Sequence, residues 1–403
     1  MRHKKFLPLL VASLFLPCAA SAGQAVWPDW VAHLHGAGKA YLVDTRTDSV
    51  VAVLDTCKGG TLGSTTPNAS KIYVSCAGEG QKEVVVIDVA SRATKRIETG
   101  NRPKHGVVSP DGKWVGVNHW GLNDGKLRHS FISTVDDSIA KVIDLPVSGV
   151  AKGVTSMHNA WSDDSRYFFA VDRVDNRLVV IDTHDWSVQT HAVPSAPHYT
   201  VPSPDGKDLW LVHEGNDAAK PGIIVYDLTQ KGMPVIARMD MPLIGEEAVE
   251  AHHGNFTQDG KYFLALNRGP GSNLQGREVA IFRVADKQLV HRVTTASNGV
   301  GHTYNTPDGR YAVVTNYGNN VISILDLAQK KIVKDFQMGS GRMGHVAFTP
   351  DGRYGYVSNA KDGDLYKLDL WKMEMVKRIS TGGKPGGGQV LNVWTNVFEE
   401  LPR

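Results

Sequence analysis

The histidines of this 403-residue chain fall in a register that composition alone does not explain. A short turn-forming string recurs along the sequence, and His105, His158, His253, His302 and His345 each lie five positions before the first residue of one of its copies. His198 and His252 lie six before. With 16 histidines in 403 residues, random placement would put fewer than one across the six equivalent repeats that carry them. Neutral imidazole is the commonest side-chain ligand for zinc, copper, iron and nickel, so a set delivered in register points to a transition metal or a metal held in a macrocycle. Without such a partner the cluster would repel itself on protonation below about pH 6.5. The plainer alternative is duplication: one ancestral histidine, serving a hydrogen bond between repeats, copied along the chain. Lys104 and Glu250 stand beside the set as acid-base candidates.

The elements that must position these side chains are legible in the same repeat. Its copies begin at Pro67, Pro110, Asp163, Pro204, Gln258, Pro307 and Pro350, as in Pro110-Asp111-Gly112-Lys113-Trp114-Val115 and Pro350-Asp351-Gly352-Arg353-Tyr354-Gly355. Pro or Asp presets the turn, Gly or Ser tolerates its exit, and β-rich segments flank both sides. Two further strands follow each turn, such as Val84–Asp88 and Thr94–Glu98. Inner strand, turn, second, third and fourth strand is the order of a propeller blade.

Trp30–His35, Lys39–Asp44 and Ser49–Asp55 read as three strands with no inner strand before them, and Gln389–Trp394 is an orphan strand at the other end. Together they predict an all-β, eight-bladed β-propeller whose ring is closed by the N- and C-terminal strands. Seven blades result if the terminal strands pack elsewhere. In such a disc the starts of the inner strands converge on one mouth of the central channel. The ends of the second strands return to that face, which makes His33, His35, His119 and His213 rim candidates. His129, His184, His191 and His291 fall in predicted loops or outer strands and read as surface residues.

Residues 1–22 have the form of a secretory signal: Arg2, His3, Lys4 and Lys5, then an apolar run from Phe6 to Leu16, then Ala20-Ser21-Ala22. That run is short of the roughly 20 residues a membrane-spanning helix needs, so residues 23–403 are expected as one exported propeller domain with no membrane insertion. Cys18 would be discarded with the signal, leaving Cys57 and Cys76 as an even pair in a compartment that permits disulfides. The balance of 44 basic and 41 acidic residues, well interspersed, gives no footprint for nucleic acid. There is no Gly-x-Ser-x-Gly elbow, no His-Glu-x-x-His and no phosphate-cradling loop.

The repeat resembles the YVTN-type periplasmic propellers. The stretch from Met157 to Gly215, carried by Met157-His158-Asn159-Ala160-Trp161-Ser162, Val179-Val180-Ile181-Asp182 and Ala196-Pro197-His198, resembles the d1-haem propeller of cytochrome cd1 nitrite reductase and its maturation relatives. That resemblance implies an eight-bladed ring, a periplasmic location and a d1-type haem, with His158 and His198 facing its substrate side. The chain departs from the pattern in two places. It has no Cys-x-x-Cys-His motif for an electron-delivering haem, and the orphan strand has no histidine where the axial ligand would stand. A carrier or maturation factor, or a redox protein with a periplasmic redox or transport partner, fits better than a self-sufficient nitrite reductase. His252-His253, Gly301-His302-Thr303 and Pro197-His198 are also similar to ligand segments of nitrous oxide reductase and thiocyanate dehydrogenase, which implies a multinuclear copper oxidoreductase as the alternative. A third reading, a zinc or copper metallochaperone, needs only the histidine ring.

Overall fold

A computed structural model describes residues 27–393, apart from 61, 217–218, 243–249, 270–275, 297–298 and 382–387. The expected secretory signal, with Cys18, and Trp394 lie outside the described residues. All regular structure among the described residues is β: eight antiparallel sheets of four strands each. Seven blades are continuous in sequence, blade 1 (62–98), blade 2 (103–146), blade 3 (160–192), blade 4 (197–240), blade 5 (250–294), blade 6 (300–337) and blade 7 (343–379). Blade 8 is composite, with Gly388–Leu391 as its inner strand against Trp30–His35. Ala32 faces Leu391 and His35 faces Gly388 in that pairing, which closes the ring as the terminal strands predicted.

Strand alternation sends successive side chains to opposite faces of each blade, so every blade offers an apolar face to both neighbours. Ala32, Leu34 and Leu42 of blade 8 meet Ile72 and Val74 of blade 1, while Val31 and Val43 meet Tyr356 and Leu365 of blade 7. The outermost strands are largely exposed, as in the alternating Val188–Ala192. The turns have the expected chemistry: Gly112 sits at φ 74° and Gly352 at φ 70°, and Ser109 Oγ donates to Asp111 Oδ1 at 2.7 Å. Cys57 and Cys76 are bonded, Sγ–Sγ 2.01 Å, and join blade 8 to blade 1.

Candidate functional site

Inner strands of five of the six histidine-bearing blades share an irregularity that blades 1 and 8 lack. Pairing between the first and second strands slips between Pro103 and His105, Pro197 and Tyr199, Ala251 and Gly254, Val300 and His302, and Met343 and Val346. In blade 3 the first strand is only Ala160–Trp161, and His158 lies in the segment before it. Blades 1 and 8 pair without a slip and carry no histidine there. A bulge places an extra residue on one strand and re-aims its side chain. At blade 5 it leaves both His252 and His253 facing the axis. Ladder bonds lost at the bulge are replaced from the second strand: the His105 amide donates to Asn118 Oδ1 at 2.9 Å and the His345 amide to Ser358 Oγ at 2.9 Å.

The result is a continuous band of seven imidazoles, six of them buried and His345 half-buried at the end. Ring centroids are 5.0 Å apart for His105 and His158, 4.4 Å for His158 and His253, 4.3 Å for His198 and His252, 4.1 Å for His253 and His302, and 4.8 Å for His302 and His345. Burial, reinforced by neighbouring imidazoles, holds His158, His252, His253 and His302 well below the ordinary histidine range. Burial and Lys104 bring His105 and His345 down to about 3. All seven are therefore neutral at physiological pH, the form that binds metal.

Within the band one triad stands out. A ligand nitrogen from each of His158, His198 and His253 lies within 4.8 Å of the others, and the amide of His158 donates to the carbonyl of His198 at 3.2 Å. His198 Nδ1 is held by the Glu214 carboxylate, which also accepts from Arg173 Nη2 at 2.7 Å. Burial pushes Glu214 up, but His198 and Arg173 outweigh it and hold the carboxylate ionised. Burial lowers His198 despite Glu214, so the ring is neutral with its proton on Nδ1. That leaves the lone pair of His198 Nε2, a buried atom with no hydrogen-bond partner, facing His158 and His253.

A second chain of bonds acts on His253. Its Nδ1 is 2.6 Å from His302 Nδ1, and His302 Nε2 is 2.7 Å from Tyr317 Oη. The chain runs in either sense: when His253 Nδ1–H donates to His302 and His302 Nε2–H donates to Tyr317, the lone pair of His253 is left on Nε2. That atom is also buried without a hydrogen-bond partner. The Glu214 carboxylate thus sets the tautomer of His198, as outer groups orient ligands in metal sites, while His302 engages the Nδ1 of His253.

Above the triad the channel opens into a mouth of about 340 Å³, lined by His158, His252, His302 and His345 together with Lys104, Trp120, Arg268, Tyr317 and Arg342. The lining follows the repeat. Trp120, Arg173, Glu214, Arg268 and Tyr317 all lie ten positions after the start of their turns, just where the second strand reaches this face. The rim candidates His119 and His213 occupy the preceding position, and alternation turns them into the blades. His119 Nδ1 bonds the Arg128 carbonyl at 3.0 Å and His213 Nδ1 bonds Ser195 Oγ at 3.1 Å. His33 and His35 pack against each other and Tyr41 in the seam with blade 7, where His35 Nε2 reaches the Gly363 carbonyl at 3.0 Å. His129, expected on the surface, is instead fully buried beside Phe168, since Leu127, His129 and Phe131 share the inward face of their strand. The side chain of Glu250 lies outside the described residues.

Residues 307–392 match the model of the Cytochrome D1 heme domain family. The match falls on blades 6 to 8 rather than on the 157–215 stretch where the sequence resemblance was read. No curated protein sequence matches the chain. Solved structures share the fold. Dihydro-heme d1 dehydrogenase NirN, solved in complex with DHE, is 18% identical at a TM-score of 0.71, over 91% of this chain and 76% of that one. Apo AztD from Citrobacter koseri is 14% identical at a TM-score of 0.62, over 90% and 98%. The periplasmic gluconolactonase PpgL of Pseudomonas aeruginosa is 17% identical at a TM-score of 0.57, over 90% and 99%.

Proposed function

We propose that this propeller holds one transition-metal ion on its axis through His158, His198 and His253, with an open coordination position toward the mouth. One observation carries the reading: Glu214 engages His198 Nδ1 and His302 engages His253 Nδ1, while the Nε2 atoms of both rings are buried with no hydrogen-bond partner. An unmet buried acceptor costs on the order of 1–3 kcal/mol, and a metal ion meets both at once. Three imidazoles without thiolate suit zinc, copper or iron, and an open position next to three ligands is the pattern of sites that act on a bound molecule rather than merely staple a fold. Such an ion supplies Lewis acidity or, with copper or iron, electron transfer. The disulfide and the signal-like residues 1–22 support residence in the periplasm.

A second reading keeps the same mouth for a d1-type tetrapyrrole, as a carrier or maturation factor. The family match at 307–392 and the eight-bladed likeness to dihydro-heme d1 dehydrogenase favour it. The lining fits such a group in kind, offering imidazoles for an axial position and cations for carboxylates.

Protein purified from its native periplasm, assayed by elemental analysis and absorption spectroscopy, tests both readings. About one zinc, copper or iron per chain with no extractable pigment is the expected result, and an extractable tetrapyrrole selects the second reading. Metal-free, colourless protein that takes up neither zinc nor copper after dialysis overturns the proposal.

A further inference from the structure

Two histidines that the axial centre does not use stand together in the ring-closing blade. His33 and His35 alternate onto one face of Trp30–His35, the face that Val31 turns to blade 7, and both are fully buried. Their ring centroids are 5.1 Å apart, and the Tyr41 ring lies 6.3 Å from His33 and 5.7 Å from His35. His35 Nε2 is 3.0 Å from the Gly363 carbonyl of blade 7, which also accepts from Thr381 Oγ1 at 2.7 Å. A carbonyl only accepts, so Nε2 carries the proton, and the lone pair of the neutral ring is on Nδ1. That Nδ1 is buried without a hydrogen-bond partner, and so are both ring nitrogens of His33.

His33 is neutral, since burial and then His35 bring it down to about 3. Two imidazole lone pairs therefore sit side by side in a dry seam, at a cost on the order of 1–3 kcal/mol each while unmet. The blade 7 turn that carries Gly363 has two carboxylates, and both are engaged: Asp362 accepts from Tyr366 Oη at 2.6 Å and Asp364 from Arg378 Nε at 2.6 Å. A divalent ion would enter with those carboxylates already committed, whereas a soft monovalent ion is satisfied by two neutral nitrogens in near-linear coordination. A glycine stands between the pair and the channel. Gly388 lines the mouth and pairs with His35, and a Cβ added to it would lie 2.8 Å from His33 Nε2 and 3.3 Å from His33 Cδ2.

We infer that His33 and His35 form a second metal site, built for Cu(I), in the seam between blades 8 and 7. Residues two apart on a strand are separated by about 7 Å, a span that one ion bridges with a nitrogen from each ring. An ordered water is the other occupant that such lone pairs admit. The pair lies outside the axial triad, so this site stands whether or not the triad holds an ion.

Anaerobic titration of the full chain with Cu(I), buffered by bicinchoninate and kept reduced with ascorbate, tests this. His33→Leu should bind one Cu(I) fewer per chain than its parent, that position weakening at least tenfold, in the wild-type and His253→Gln backgrounds alike and with the circular dichroism spectrum unchanged. His33→Gln, which keeps a polar side chain in the seam, should show the same loss. Equal uptake with and without His33 overturns the inference and assigns the pair to ordered water. If His253→Gln binds as much as wild type while His33→Leu still loses one ion, the triad fails and the site in the seam stands.

Discussion

Glu214 accepts the Nδ1 proton of His198 while held from its other oxygen by Arg173, so a half-buried Arg–Glu pair leads to an imidazole lone pair at the propeller axis. Both Glu214 oxygens are thereby engaged, which fixes the ring plane of His198 as well as its tautomer. Replacing the carboxylate by an amide keeps the shape and removes the charge. Glu214→Gln should therefore lower metal affinity by about 10–100-fold while leaving the chain folded. Competition with a zinc-sensitive chromophoric chelator measures this directly. An affinity equal to wild type would show that the carboxylate serves only the Arg173 ion pair.

The tautomer chain on the other side of the triad makes a separate demand. Gly301 packs so tightly that an added Cβ would lie 2.6 Å from Tyr317 Cε2. Gly301→Ala must displace the Tyr317 ring and with it the hydroxyl that bonds His302 Nε2. Metal affinity should fall about tenfold, comparable to losing an outer-shell partner. Tyr317→Phe, which removes only the hydroxyl, should reproduce the loss without the steric push. If Tyr317→Phe retains full affinity, His302 does not set the tautomer of His253.

Direct removal of a ligand has a cost that the sequence does not disclose. His158 and His302 are 4% and 3% exposed, so truncating both to Ala opens space in a packed centre instead of clearing a solvated channel. The double variant should lose its metal and also unfold at a lower denaturant concentration, by an amount equivalent to about 2–4 kcal/mol. His253→Gln, closer in volume, should lose metal with a smaller shift. Retained metal in His253→Gln would remove that residue from the ligand set.

How far this centre was visible before the fold was known depends on the residue. The register of His105, His158, His253, His302 and His345 was open to reading because the turn that marks it recurs seven times. The six-position offset of His198 and His252 was visible too, but its cause was not, because a bulge is a property of pairing between strands and leaves no composition of its own. Glu214, Arg268 and Tyr317 went unread for a related reason. They share the position ten after each turn, yet their types differ, so repetition of residue type could not find them. Histidine itself recurs one residue earlier, at His119 and His213, where alternation turns the side chain away from the mouth. His129 carried a usable signal in the period-two run Leu127, His129, Phe131.

Acid should expose the buried histidines that lie outside the mouth. Burial and His119 bring His129 down to about 3, and burial and His35 bring His33 down to about 3, while both would titrate near 6.5 in the unfolded chain. The folded state then binds fewer protons than the unfolded state between those values. Stability is accordingly intact above about pH 6.5 and falls as pH drops toward 3. Each such histidine contributes a slope of about 1.4 kcal/mol per pH unit. His129→Leu should remove one increment of that slope, becoming less destabilising, or even stabilising, relative to wild type by about 2 kcal/mol between pH 6.5 and 4.5. Urea unfolding across that range decides it, and parallel profiles for the two proteins would mean that His129 is protonated in the folded state.

Ring closure sets the last expectation. Blade 8 is held together by strands from the two ends of the chain, and its seam with blade 1 is the one crossed by the Cys57–Cys76 bond, which closes a loop of 19 residues in sequence separation. Cross-linking a loop of that order restrains the unfolded chain by about 3 kcal/mol. Cys57→Ser/Cys76→Ser should therefore unfold earlier in urea by about that amount. Blade 5 lies on the far side of the disc from this seam, so the metal affinity of the folded variant should be unchanged. A loss of metal binding matched to the loss of stability would instead mean that opening the seam between blades 8 and 1 spreads around the ring to His253, which predicts that bound metal in turn protects the terminal strands from proteolysis.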